Sequence, residues 1–256
     1  MERTYECSQF VIFDDVLPTS EFEAVWRYLQ LSRMVNGDMA YLGGPWQITE
    51  ALPLFGATIS ALSESTSSPA RPSSATGGSP VYPTGTAVDF VVEKLLQLAP
   101  QIEPWVGKAD EEWVLVTAAP WIFPPGTGIS WHTDSGAHTG AYILYVHPEW
   151  EAQWGGELLV ADKACRLFPS GLSTPAPYSL EERLRYRFDK RPMSDYLRRV
   201  GTGQFISPAP NRLVVLEVGH PHKTSRVDAA AGDHVRASIS GLFVRPEVVE
   251  RSEERR

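Results

Sequence analysis

The pattern of apolar and polar positions changes its period several times along the chain. The run 10–13 is continuously apolar and ends at two aspartates, which predicts a strand. Apolar residues then recur through 22–29 at the spacing of one helix face. Ser20 and Glu23 predict a capping box at the start of this helix. We therefore expect a strand that leads into an amphipathic helix.

The next regular pattern follows a segment of low apolar content. Residues 63–86 are rich in Ser, Pro, Gly and Thr, and such a composition cannot bury enough surface to fold alone. This segment predicts a long mobile loop. Valine and leucine then repeat with helical period from Val88 to Leu98, and Pro100 ends the pattern.

From Trp113 almost to the C-terminus, the pattern is that of short strands separated by turns. Strands are predicted at 113–116, around 130–134, at 142–146, 155–160, 211–217 and 236–244. We expect the strand at 155–160 to pair antiparallel with the one at 142–146. The segment 228–233 predicts a hairpin turn. Antiparallel strands linked in this way fit a double-sheet barrel.

The stretch 162–210 interrupts the strand pattern and is expected to be an insertion into the β-rich half. Ser179 and Glu182 predict a capping box there, and a cation-rich segment follows at 183–191. The first interpretation of this segment is a solvated helix. The alternative is a cover over the barrel mouth whose cations meet an anionic substrate.

The composition is that of an ordinary globular protein. With 256 residues, the chain can bury one substantial core, so a single domain is expected. A net charge of −8 provides no broad basic surface for nucleic acid or an anionic membrane. Only Cys7 and Cys165 are present, outside zinc-like spacings, which favours a reducing cytoplasm. No apolar run approaches the roughly twenty residues of a membrane span, and the oligomeric state stays open.

The segment 130–134 carries the strongest chemical signal. Residues i and i+2 of a strand share a face, so His132 and Asp134 can present an imidazole nitrogen and a carboxylate to one point. A second imidazole, from His220 or His222 on a later strand, would complete two histidines and one carboxylate. This set suits non-haem Fe(II) and leaves positions open for oxygen chemistry. His-x-Asp alone is a weak signal, but the order of the surrounding parts strengthens it.

These parts resemble the Fe(II)- and 2-oxoglutarate-dependent dioxygenases, in particular the branch similar to prolyl 4-hydroxylases. The resemblance covers about 113–244, with 10–29 similar to the opening of that branch. It rests on five pieces in order: the turn 123–128, His132-Thr-Asp134, the strand and turn 145–150, Gly155-Gly-Glu-Leu158, and Pro221-His222 with Arg236.

The resemblance implies a mostly β fold with some helix. Its core would be a double-stranded β-helix of the jelly-roll, cupin-like type, flanked by helices. We expect one dioxygenase domain over 1–256. Within it, 1–110 would be helical support containing the loop at about 63–86, and 111–244 the core with the insertion at about 162–210. A solvated tail would occupy 245–256.

Carried onto this chain residue by residue, the resemblance implies that His132, Asp134 and His222 bind Fe(II) and are the catalytic centre. His222 is preferred because the Pro-His pair stands where the branch has it. His220 is the second candidate for this imidazole and would otherwise be a supporting residue. His138, His147 and His234 are expected in turn-like surroundings and are assigned no role.

The resemblance also implies a binding site for the co-substrate 2-oxoglutarate. Arg236 would pair with its distal carboxylate, because a guanidinium binds carboxylate through a planar fork. Tyr145 and Ser238 would add hydroxyl hydrogen bonds.

One residue departs from the family pattern. Where several prolyl hydroxylases carry a tyrosine, this chain has Phe123. One hydroxyl contact to the co-substrate is therefore expected to be absent, with Tyr142, Thr117 or water in its place.

The implied function is the oxidation of a small molecule with O2 and 2-oxoglutarate, which releases succinate and CO2 and has a place in specialised metabolism. Hydroxylation is favoured, because related halogenases have a small residue where this chain retains Asp134. Desaturation and ring formation stay open. One alternative is a hydroxylase acting on prolyl or other residues of a protein. Another is a non-catalytic metal-binding barrel that serves as a scaffold or sensor.

Overall fold

The computed structural model describes residues 1–36, 54–55, 59–62, 81–134, 137–162, 197–198 and 201–247. These ranges contain two α-helices and thirteen strands, and every strand pair is antiparallel. Three predicted features lie outside the described residues: most of the loop at 63–86, the charge-rich helix after Ser179, and the last residues of the tail.

The larger sheet contains nine of the described strands. These are β1 Glu2–Glu6, β2 Phe10–Asp14, β3 Val35–Asn36, β4 Leu54–Phe55, β5 Ile59–Leu62, β6 Leu115–Phe123, β8 His138–Tyr145, β11 Leu213–Glu217 and β13 Arg236–Val244. Their order is β1-β2-β11-β8-β13-β6-β4-β3, and β5 also pairs with β6.

The smaller sheet contains four described strands in the order β10-β9-β12-β7. They are β7 Ile129–His132, β9 Leu158–Ala161, β10 Gly203–Ile206 and β12 His222–Thr224. From β6 to β13 the chain passes repeatedly between the two sheets, which is the topology of a double-stranded β-helix. The predicted fold class is confirmed. The sequence predictions omitted β10, which falls within the stretch interpreted as an insertion, and the short or exposed strands β1, β3, β4 and β5.

Two predicted connections were wrong. Strand β9 does not pair with β8; it pairs with β10 and β12 in the smaller sheet, whereas β8 pairs with β11 and β13. The segment 228–233 is not a hairpin turn. It contains a 3-10 helix, Ala229–Ala231, and connects β12 of one sheet to β13 of the other. Crossing between sheets lets the chain bury an apolar core between them, which a local hairpin cannot achieve.

The first helix, α1 Thr19–Leu31, lies where the pattern predicted it. The capping box was wrong, because Pro18 is the N-cap and Ser20 lies within the first turn. Proline suits this boundary because its restricted φ and missing N–H are tolerated where the helix backbone begins.

The second helix, α2 Val88–Val106, is longer than predicted and contains both Pro100 and Pro104. Its last turns bury Ile102 and Val106 completely. The indole of Trp105 donates a hydrogen bond to the Cys7 carbonyl oxygen at 2.7 Å. Tertiary packing therefore outweighs the backbone hydrogen bonds that proline removes.

The helices pack on one face of the larger sheet and leave the other face for the barrel interior. Leu144, Val215 and Ile239 belong to the apolar cluster shared with α1 and α2. Tyr145 and Val214 belong instead to the cluster between the two sheets. Alternate residues of one strand thus face helix or barrel interior. Within the described ranges, neither helix is long and apolar enough to cross a membrane.

Candidate metal centre and adjoining pocket

Three side chains from the smaller sheet and its following loop meet at one point. His132, Asp134 and His222 each offer one ligand atom, and these atoms lie within 4.8 Å of one another. His222 is directly opposite His132 in the pairing of β12 with β7, and their ring centroids are 4.2 Å apart. Asp134 Oδ2 lies 3.7 Å from His222 Nε2. The three groups could hold one divalent cation through two imidazoles and one carboxylate.

Asp134 reaches this point by a different route from the one expected. Strand β7 ends at His132, so Asp134 lies in the loop that follows and not on a strand face shared with His132. The backbone pairing between β12 and β7 places the two histidines. The carboxylate approaches them from beyond the end of the strand.

The hydrogen bonding of His222 determines which ring nitrogen can bind a metal. Its Nδ1 lies 3.0 Å from the backbone carbonyl oxygen of His220. A carbonyl oxygen can only accept, so Nδ1 carries the hydrogen and Nε2, which faces Asp134, keeps its lone pair. A metal-binding histidine commonly has this second hydrogen bond, which sets its tautomer and ring orientation.

His220, the second candidate for this position, is not part of the cluster. Strand β12 begins at His222, so the two histidines do not share a strand face. The His220 ring instead contacts the Glu217 carboxylate at 3.0 Å and the Gln9 side-chain amide at 3.2 Å. The structure therefore brings His222, and not His220, close to His132 and Asp134.

A buried cation lies inside the barrel on β13. Arg236 is 1% exposed, and its guanidinium lies 4.8 Å from the Phe123 ring centre and 4.9 Å from that of Tyr145. Within the described residues no hydrogen bond of good geometry reaches Arg236 Nε or Tyr145 Oη, although the two side chains lie close enough for each to affect the pKa of the other. Burial lowers the pKa of Arg236 and raises that of Tyr145, and each group partly opposes the shift of the other.

A buried guanidinium with unmet donors is unfavourable unless an anion accompanies it. The donors of Arg236 and Tyr145 fit a carboxylate, which accepts several hydrogen bonds and neutralises the charge. Ser238, which is also buried, lies opposite Tyr145 on β8 and two residues along from Arg236. The expected co-substrate residues therefore lie side by side on the larger sheet.

The absence of a side chain at Gly156 leaves room for the Arg236 side chain. This glycine has a φ of +73°, and a Cβ atom there would lie only 2.9 Å from Arg236 Cδ. Any other residue would be strained at this φ and would press on the arginine side chain. The Gly-Gly pair before β9 thus brings the backbone close to the buried cation.

The prediction that Tyr142 or Thr117 replaces the missing tyrosine hydroxyl was wrong. The Tyr142 hydroxyl donates to the Thr117 carbonyl oxygen at 2.8 Å, and its ring packs in the cluster beneath the helices. The Thr117 hydroxyl accepts from the Leu242 backbone N–H at 3.0 Å. Phe123, the residue that replaces tyrosine, stacks over Arg236 and offers an aromatic face instead of a hydroxyl.

The metal cluster and the buried Arg236 side chain both border the interior between the two sheets. Val160 pairs with His222 between β9 and β12, and it belongs to the same buried apolar cluster as Tyr145. That cluster contributes buried apolar side chains to the interior between the two sheets.

One buried histidine was missed by sequence reasoning. His147 was expected in a turn but is 1% exposed, and it follows directly on the apolar run that forms β8. Its Nε2 donates to the Pro208 carbonyl oxygen at 2.6 Å, and its Nδ1 lies 3.2 Å from the Ala237 backbone nitrogen and 3.1 Å from the Ala237 carbonyl oxygen. Burial lowers the pKa of His147 to about 4, so it is neutral near pH 7. The preceding apolar run was the available signal for its burial.

His147 should make the free energy of unfolding depend on pH. Above an unfolded-state pKa of about 6.5 its contribution is complete, and it is lost progressively as the pH falls toward about 4. The loss between pH 7 and pH 5 should be about 2 kcal/mol. Urea unfolding of metal-free protein at both pH values measures this. His147→Gln should be less stable than the parent at pH 7. Its free energy of unfolding should also fall less than that of the parent between pH 7 and pH 5. Equal losses in the parent and the variant would contradict the assignment.

Sequence and structure comparisons agree with this geometry. Residues 120–244 match the family model described as the 2OG-Fe(II) oxygenase superfamily. This range includes all three residues of the metal cluster and the buried arginine. A search of curated protein sequences finds no significant match.

Several solved structures share the fold. A prolyl-4-hydroxylase from Pseudomonas putida is 15% identical with a TM-score of 0.53, over 93% of this chain and 92% of that one. A prolyl hydroxylase from Trichoplax adhaerens, in complex with a hypoxia inducible factor peptide fragment, is 14% identical with a TM-score of 0.57, over 96% and 87%. HygX from Streptomyces hygroscopicus, with nickel and 2-oxoglutarate bound, is 10% identical with a TM-score of 0.51, over 93% and 83%. At these identities the likeness concerns the fold alone.

Proposed function

We propose a substrate class and a reaction for this chain, whose residues 120–244 match the family model of the 2OG-Fe(II) oxygenase superfamily. The chain is a 2-oxoglutarate-dependent dioxygenase, and its cofactors are Fe²⁺, 2-oxoglutarate and O2. The proposed reaction is hydroxylation of a small molecule in specialised metabolism, coupled to release of succinate and CO2.

The cluster of His132, Asp134 and His222 carries this proposal. Ligand atoms within 4.8 Å of one another suit a single Fe²⁺ ion, and two imidazoles with one carboxylate leave further coordination positions open. In the proposed site these residues bind the metal, and His222 does so through Nε2. The bound metal, 2-oxoglutarate and O2 together supply the oxidising chemistry.

The remaining side chains bind and orient the co-substrate. Arg236 and Tyr145 would direct their unmet donors at its distal carboxylate, and Ser238 would add a hydroxyl on the same side. Burial strengthens this pairing because few water molecules compete for the donors. The apolar cluster around Val160 excludes water from the space between the two subsites.

The retained carboxylate of Asp134 supports hydroxylation. Related halogenases have a small residue at this position, which leaves a coordination site for chloride. Asp134 instead places a carboxylate oxygen within 4.8 Å of the ligand atoms of both histidines and would supply one negative charge to the metal. Transfer of one oxygen atom to the substrate and the other to succinate balances the reaction.

A small-molecule substrate is supported by the likeness to HygX, which has also been solved with hygromycin B bound. The likeness to the two prolyl hydroxylases supports the alternative, hydroxylation of a peptide or protein, since one of them holds a peptide. The family consists of oxygenases, so the non-catalytic barrel is not proposed.

The test measures succinate formed from 2-oxoglutarate by protein loaded anaerobically with Fe²⁺ and then exposed to O2. Candidate small molecules and proline-containing peptides are added separately, and mass spectrometry detects the gain of one oxygen atom. We expect substrate-dependent succinate and an oxygenated small molecule. Oxygenation of peptides alone would establish the alternative. Absence of succinate with and without every added compound would refute the proposed reaction.

A further inference from the structure

We infer that His220 is a positioning residue for the proposed metal ligand His222, and that Gln9 and Glu217 hold it in place. The inference rests on the proposed function, in which His222 binds the metal. It concerns the residue two positions before the ligand, which contacts His222 through its backbone carbonyl oxygen.

The first observation is a buried hydrogen-bonded chain behind His222. His222 Nδ1 donates to the His220 carbonyl oxygen at 3.0 Å, and the His220 ring lies 3.0 Å from Glu217 Oε2 and 3.2 Å from Gln9 Nε2. His220 is 1% exposed and Gln9 is 5% exposed. The Glu217 side chain is 25% exposed, so the buried part of the network is the pair of His220 and Gln9. A buried polar pair is rigid when its hydrogen bonds are satisfied.

The hydrogen-bond directions in this network are mutually consistent. Gln9 Nε2 donates to the Ala161 carbonyl oxygen at 2.8 Å, which identifies this atom as the amide nitrogen. Its second hydrogen points to His220 Nδ1, which must therefore accept. The His220 hydrogen is then on Nε2 and is donated to the Glu217 carboxylate. Each hydrogen bond therefore determines which atom donates and which accepts in the next one.

The network also joins the two sheets where they approach the metal cluster. The Glu217 backbone N–H donates to the Gln9 carbonyl oxygen at 2.9 Å, and the Ala161 N–H donates to the Pro221 carbonyl oxygen at 2.8 Å. The segment before His222 is therefore held from both sides. Because β12 begins only at His222, strand pairing does not hold His220. The hydrogen bonds of the His220 side chain hold this residue instead.

The consequence concerns the metal ligand. A displaced His220 carbonyl would no longer accept from His222 Nδ1, so the tautomer with a free Nε2 and the orientation of the ring would no longer be enforced. Loss of such a supporting hydrogen bond typically weakens metal binding about 10- to 100-fold. His220 would thus act on the metal through its backbone carbonyl and not through its ring.

The experiment titrates metal-free full-length protein with Mn²⁺ by calorimetry and follows unfolding in urea. His220→Leu and Gln9→Leu each remove hydrogen bonds of the network, and we expect the Kd for Mn²⁺ to rise about 10-fold or more. Glu217→Gln keeps an acceptor for His220 Nε2 and should stay within about threefold of the parent, whereas Glu217→Leu should resemble His220→Leu.

His147→Gln is the matched control, because it removes another imidazole that is 1% exposed and bonded through both nitrogens, with partners away from the cluster. It should lower stability and leave the Kd for Mn²⁺ unchanged. The visible spectrum of the Co²⁺-loaded protein reports ligand geometry and should change in His220→Leu but not in His147→Gln.

The possible failures are distinguishable. If the parent binds Mn²⁺ and His220→Leu, or the milder Gln9→Leu, binds it equally well with an unchanged Co²⁺ spectrum, the inference is overturned and the proposed function stands. An equal rise of the Kd for Mn²⁺ in His147→Gln would also overturn the inference. The weaker metal binding would then follow from lower protein stability and not from the position of His220. A parent protein that binds no Mn²⁺ would overturn the proposed function and the inference together.

Discussion

Asp134→Ala should reduce succinate formation from 2-oxoglutarate to the level of a control without protein. Asp134 is the anionic member of the cluster, and its Oδ2 lies 3.7 Å from His222 Nε2. Its loss leaves two neutral imidazoles, which bind a hard divalent cation far more weakly than a set with a carboxylate. We expect the metal affinity to fall with the turnover, measured by Mn²⁺ titration and by succinate release with Fe²⁺.

Two further variants separate charge from packing in this prediction. Asp134→Asn keeps the shape but replaces the anion with a neutral amide, so it should also lose most of the turnover. Asp233→Ala removes an exposed carboxylate elsewhere and should behave as the parent does. If Asp134→Ala decarboxylates 2-oxoglutarate as fast as the parent, the metal assignment is wrong.

Arg236→Met should raise the KM for 2-oxoglutarate at least about 100-fold, since removing one partner of a buried ion pair costs about 3 kcal/mol or more. The guanidinium is 1% exposed beneath the Phe123 ring, so water cannot replace it for the bound carboxylate. Arg236→Lys keeps the charge but loses the planar fork, so it should fall between the parent and Arg236→Met. Initial rates at varied 2-oxoglutarate concentrations measure this.

Arg236→Met should also have an unusual effect on the free energy of unfolding. In protein free of co-substrate, Arg236→Met removes a buried charge whose Nε makes no hydrogen bond of good geometry within the described residues, so stability should stay equal or increase. Added 2-oxoglutarate should raise the Tm of the parent, because it binds only the folded state, and not that of the variant. Arg212→Met, which breaks the ion pair with Asp14, should lower stability and leave the KM unchanged. A similar rise of Tm in Arg236→Met would contradict the assigned role.

Local patterns in the sequence were sufficient to identify most of the regular elements that border the site. Strands β2, β11 and β13 and helix α1 lie where alternation or helical periodicity predicted them. Continuous apolar runs have few alternatives to a buried strand, because their side chains must leave water in any compact state. The ends of elements were less predictable. Helix α2 passes through Pro100 because the packing of residues far apart in the sequence compensates for it.

The partners of each strand were not encoded locally. An alternating pattern states which residues form a strand but not which strand lies beside it, so β8 and β9 were wrongly paired. The choice depends on closing a core between two sheets. The short strand β10 was missed for a related reason: three of its four residues are exposed, so it shows little apolar pattern.

The sequence alone identified the types of chemistry present: two imidazoles, a carboxylate and an arginine in an order that resembles the family. Tertiary structure decided which of the similar candidates meet. It placed His222 in the cluster and His220 behind it, and it turned Tyr145 to the interior while Tyr142 packs beneath the helices. The physical reason is that sequence order specifies neighbours along the chain. Which face of each strand is buried, and against what, is settled only when the two sheets pack together.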